Sequence, residues 1–94
     1  MGLREDFEAY HAANPRIYRG LRLTALEMVK ESTQPLSIKV LWMVTQEKLA
    51  NQTKTPVSEI QLPSEFYLNF YADLLVQDSK LEDAIIVPRR IQKG

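Results

Sequence analysis

Apolar residues recur along this chain mainly at helical spacing. Leu3, Phe7, Tyr10 and His11 fall at i, i+4, i+7 and i+8, which predicts a short amphipathic helix over 3–12. Asn14 and Pro15 end it and open the next, because a proline costs nothing in a first helical turn and an asparagine can cap one. A second helix follows over 15–31, with Ile17, Tyr18, Leu21, Ala25, Met28 and Val29 on one side. Gly20 inside it costs about 1 kcal/mol against alanine, so its place there predicts close approach of another helix. Leu36, Ser37 and Leu41 have the spacing of a hydrophobic staple around an N-cap and start a third helix over 38–50. Ile38, Val40, Leu41, Trp42, Met43, Val44 and Leu49 surround that helix, so it is expected to be a central rod enclosed on nearly every side.

The second half is less regular. Residues 51–63 read as a polar connection, in which Ile60 and Leu62 alternate with polar neighbours as in a brief strand or an extended arm. Ser64 is placed to cap a fourth helix over 65–77, whose core stripe is Phe66, Tyr67, Phe70, Tyr71, Leu74 and Leu75. Ser79 and Glu82 have capping-box spacing for a short fifth turn. Ile85, Ile86 and Val87 favour an extended conformation. Pro88 then begins a basic tail over 88–94 with Arg89, Arg90 and Lys93. The expected fold is one mainly α domain over 1–94. Four to five short helices are arranged around the third as a central helix, and 58–62 pairs with 84–87 as a small two-stranded wing. Phe7, Leu21, Leu41, Trp42, Phe70 and Leu74 are the expected core.

Length and charge narrow the function. Ninety-four residues make one domain of marginal size. Twelve cations balance twelve carboxylates, whereas dedicated nucleic-acid binders are usually clearly basic, so any such role rests on a local patch. The N-terminus lacks the apolar run of a signal peptide, and no stretch reaches the length of a membrane span. The absence of cysteine agrees with a reducing cytoplasm, which is the expected location, with no membrane partner.

Candidate chemistry is sparse. His11 is the sole histidine and has no cysteine to join it in a metal site, so it reads as a structural or capping residue. The glycines at 2, 20 and 94 cannot form a phosphate loop. Paired carboxylates at 5–6 and 82–83 sit where they complement helix dipoles. No catalytic residue, metal site or cofactor is expected, and the chain reads as a non-enzyme. The aromatic stripe of the fourth helix reads as core in preference to a base-stacking platform. Arg16, Arg19, Arg22 and Lys30 share the outer sector of the second helix. They read either as a solvated face or, with Arg89 and Arg90, as a phosphate-contacting ridge. Leu23 and Leu26 lie among these cations, and as a pair they suggest a covered surface. Its cover would be the Ile85–Val87 segment or another protein.

The pattern Phe7-x-x-Tyr10-His11-x-x-Asn14-Pro15-x-Ile17-Tyr18, followed by Ser37-Ile38-Lys39-x-Leu41-Trp42, resembles a group of small bacteriophage and prophage proteins of unassigned function. The two motifs cover about the first half of the chain. The resemblance implies a helix-turn-helix or winged-helix layout and a phage context, and no catalytic residues. The group carries an arginine before its fourth helix, where this chain reads Gln61-Leu62-Pro63-Ser64-Glu65-Phe66. Residues 64–77 offer Glu65, Asn69, Asp73 and Gln77 but no cation, which disfavours base reading by that helix. The expected function is therefore a non-enzymatic binding module of phage type. DNA ranks first as its partner, ahead of a bacterial host protein that it would bind as an adaptor or inhibitor. A homodimer is one of its expected forms.

Overall fold

A computed structural model describes residues 2–31 and 35–86. It is mainly helical, with α1 (Leu3–Ala13), α2 (Pro15–Glu31), α3 (Ile38–Thr53) and α4 (Tyr67–Leu75). Two short strands, β1 (Leu36–Ser37) and β2 (Ile85–Ile86), and a 3-10 turn at Val57–Glu59 complete it. The tail over 88–94 lies outside the described residues.

The α1–α2 joint is a single residue. The Asn14 side chain donates to the Tyr10 carbonyl at 2.9 Å, so it closes α1 where a cap for α2 was expected. The Asn14 carbonyl accepts from the Ile17 N–H at 3.1 Å and starts α2. Gly20 allows α3 to come close: a Cβ there would stand 3.2 Å from Thr45 Cγ2. The Thr45 hydroxyl is buried and donates to the Leu41 carbonyl at 2.8 Å, so this contact strands no polar group.

α3 differs from expectation in two ways. It runs on through the polar residues Asn51–Thr53, because polarity marks an exposed side and does not stop a helix. It stops at Lys54, which takes a left-handed conformation (φ 56°) two residues before Pro56. Nor is the rod enclosed on nearly every side. Ile38, Leu41, Trp42, Thr45, Leu49 and Ala50 are buried, with Trp42 8% exposed, but Val40 is 49% and Met43 63% exposed. The molecule measures 40 × 39 × 20 Å. Its short dimension holds about two helix diameters, so α3 keeps an outer face.

α4 is shorter than expected. Ser64 acts before it, its hydroxyl accepting from the Phe66 N–H at 3.2 Å, and Phe66 stays 58% exposed. Tyr67, Leu68, Tyr71, Ala72 and Leu75 form the buried stripe, while Phe70 and Leu74 are only partly buried at its edge. Phe7 anchors an aromatic cluster against α4: Tyr71 meets it edge-on at 4.8 Å, Tyr67 edge-on at 5.4 Å, and Phe70 stacks at 5.0 Å.

The strand pairing also departs from expectation. β2 runs parallel to β1, with Leu36 opposite Ile85 and Ser37 opposite Ile86. The 58–62 stretch takes no part, because 57–59 coils into the 3-10 turn and the Gln46 side-chain amide donates to the Ile60 carbonyl at 2.5 Å. Among the described residues no further helix follows α4. Asp78 caps the turn there in place of Ser79, its carboxylate accepting from the Lys80 N–H at 2.9 Å.

Candidate binding groove between α2 and α3

The packing of Gly20 on Thr45 draws α2 and α3 together and leaves a groove along their outer edges, of about 300 Å³. Gly20, Thr24, Thr45 and Leu49 form its inner part. Arg16, Arg19, Leu23 and Glu27 from α2 and Lys48, Gln52 and Thr53 from α3 complete it. The chemistry is mixed: an apolar strip of Leu23 and Leu49, an amide and a hydroxyl, and a cationic end at Arg16 and Arg19.

The cations differ in how they are engaged. Lys48 pairs with Glu27 across the groove, and the hydrogen bond from Lys48 holds the Glu27 carboxyl below its ordinary value. Arg22 points elsewhere, with its Nε 2.6 Å from Asp78 Oδ2. The Lys80 N–H, and then Arg22, hold the Asp78 carboxyl below its ordinary value. Arg22 is therefore a tie between α2 and the turn after α4. Arg16 and Arg19 are exposed and make no ion pair among the described residues.

Of the residues singled out from sequence, the fold brings Arg16, Arg19 and Leu23 to this groove. Lys30 is exposed on the last turn of α2 and does not line it. Arg89 and Arg90 lie outside the described residues. Leu23 and Leu26 do not form one surface. Leu23 is 52% exposed on the rim, whereas Leu26 is partly buried against the core. Residues 85–86 pack on β1 and α4, and Val87, the end of the segment expected to cover the two leucines, lies outside the described residues.

Sequence reading missed the α3 side of the groove, Lys48, Leu49, Gln52 and Thr53. The signal was Gly20, which announced a close neighbour without saying which residues of it would flank the contact.

His11 stacks on Phe7 at 5.8 Å and meets Tyr18 and Tyr71 edge-on at 5.5 and 5.7 Å. Its Nδ1 is buried with no hydrogen-bond partner among the described residues. Its surroundings are aromatic, as a packing role requires. Among the described residues no three His, Cys, Asp or Glu side chains converge on a metal-sized site. No helix among them is long and apolar enough to cross a membrane. Against known proteins, no family model, no curated protein and no solved structure matches the chain.

Proposed function

We propose that this protein is a non-enzymatic binding module of phage type that holds an acidic, partly apolar segment of a bacterial host protein in the α2–α3 groove. The observation that carries the reading is the placement of two unpaired, exposed arginines, Arg16 and Arg19, beside the apolar strip of Leu23 and Leu49. Arginine forks donate pairs of hydrogen bonds to carboxylates, and Leu23, half exposed on the rim over the buried Leu49, offers burial to an aliphatic neighbour. The charge balance favours a protein over a duplex. Twelve cations balance twelve carboxylates over the whole chain, so no net positive charge draws in a phosphate backbone at long range.

A DNA-associated role is the second reading. It is favoured by the exposed row Arg16, Arg19 and Lys30 on α2, to which the tail cations would add. One pair of measurements separates the two. A peptide-display selection should enrich sequences in which Asp or Glu alternates with Leu, Ile or Val, and R16E/R19E should weaken their binding about tenfold or more, which corresponds to about 1.4 kcal/mol. A labelled DNA duplex titrated over a salt series should bind weakly at physiological salt. Tight duplex binding that falls steeply with salt and is lost in R16E/R19E, with no acidic peptide enriched, would establish the DNA reading instead.

A further inference from the structure

The outer face of α3 is exposed, apolar at its centre and charged with opposite signs at its two ends. Met43, 63% exposed, lies at the middle. Lys39 stands four residues before it and Glu47 four after, both exposed. At 100° per residue these two lie about 40° to either side of Met43, so the three share one stripe. Val40, 49% exposed, widens the apolar centre. Beside Met43 an open apolar recess of about 390 Å³ is lined by Trp42, Leu62 and Leu68, with Lys39 and Glu65 at its polar margin.

Within their own helix, Lys39 and Glu47 have no opposite charge at three or four residues' distance. Neither makes an ion pair among the described residues. The arrangement is self-complementary. If a two-fold axis passes through Met43 and brings two α3 helices together antiparallel, Lys39 of one copy stands opposite Glu47 of the other, and the reverse pair forms by symmetry. Met43 then meets Met43, and the recess beside it is covered. An isologous interface needs a patch that complements itself, and opposite charges placed at equal distances on either side of an apolar centre meet that requirement.

We infer that the outer face of α3 is a homodimer interface, formed by a second copy of this chain packed antiparallel about Met43. Met43 and Thr45 lie about 200° apart around α3, so this face is turned away from Gly20 and the α2–α3 groove. A dimer thus presents two open grooves, and its existence does not rest on what they bind.

Sedimentation velocity of the full chain, from low micromolar to near-millimolar concentration, reads the outcome. The wild type should move from the mass of one chain to that of two. M43D should raise the dimer dissociation constant about 30-fold or more, as loss of a central interface residue does, with its circular dichroism unchanged because the side chain is exposed in the monomer. K39E and E47K should each weaken the dimer, and the double swap K39E/E47K should restore it, since the exchanged charges again face their opposites. A wild type that stays a monomer throughout overturns the inference. So does a dimer indifferent to M43D, or a double swap no stronger than the single variants.

Discussion

Tyr71 is fully buried, yet its hydroxyl has no hydrogen-bond partner among the described residues. Burial, followed by the neighbouring Tyr10 and Tyr67, pushes its ionisation well above the ordinary 10.0. Burial also raises Tyr10 and Tyr18. The folded state therefore keeps these phenols protonated while the unfolded chain ionises near pH 10, so stability is lost as pH rises through that value. Tyr71→Phe removes the unpartnered hydroxyl and keeps the ring contacts. Its stability at pH 7, from urea unfolding, should match or exceed wild type by up to about 1 kcal/mol, and its decline above pH 10 should be shallower. Gly20 sets two effects in opposition. Alanine would gain about 1 kcal/mol of helix propensity but press on Thr45 Cγ2 at 3.2 Å. Gly20→Ala should stay within about 1 kcal/mol of wild type, whereas Gly20→Leu should cost about 1–3 kcal/mol by overpacking the α2–α3 contact. A thermal melt that ranks Leu above Ala would refute that packing. The presence of a helical glycine was visible in the sequence, but its neighbour was not.

Element boundaries follow local chemistry where a breaker is present and tertiary context where none is. α2 begins at Pro15 and ends at Glu31 as periodicity predicts, because proline and a full amphipathic stripe leave no competing choice. α3 overran its expected end because Asn51–Thr53 are polar without being helix breakers, and Thr53 returns its hydroxyl to the Leu49 carbonyl at 2.9 Å. α4 lost its first turn to the Ser64 hydroxyl, and its core stripe shifted so that Leu68 and Ala72 are buried while Phe66 is not. The strands paired by proximity: α3 and α4 return the chain so that the Leu36 N–H donates to the Ala84 carbonyl at 2.6 Å, a partnership between segments far apart in sequence. The Arg22–Asp78 tie is of the same long-range kind. Because the Asp78 carboxyl lies below its ordinary 3.8 in the folded state, the stabilisation it supplies is present above that value and lost as pH falls through the folded one. Asp78→Asn should lower the melting temperature at pH 7, and by progressively less as the pH falls below 3.8 and the wild-type carboxylate becomes protonated in the folded state as well. A loss that does not shrink at all on acidification would show that the tie carries no pH-dependent stability.

The whole molecule is thin, and α3 is asked to serve two sides at once. One side of it, through Thr45 and Leu49, packs on α2 and frames the groove; the other, around Met43, is open. A central helix in so small a domain cannot be wrapped completely, because too few other elements exist to cover it. This explains why an all-round apolar sequence produced an exposed stripe where full burial was expected. M43D and R16E/R19E act on opposite sides of α3, so their effects on self-association and on groove binding should be separable. Periodicity and helix-stop residues were enough to establish a mainly helical chain, four helices near their observed places, and Phe7, Leu21, Leu41 and Trp42 in the core. Those features depend on spacing of 3.6 residues and on backbone limits that each segment carries within itself. The separation of Leu23 from Leu26, the diversion of Arg22 to Asp78, the pairing of β1 with β2 and the bare face of α3 all depend on which segments meet in space. That choice arises from packing between residues distant along the chain, which no local pattern encodes.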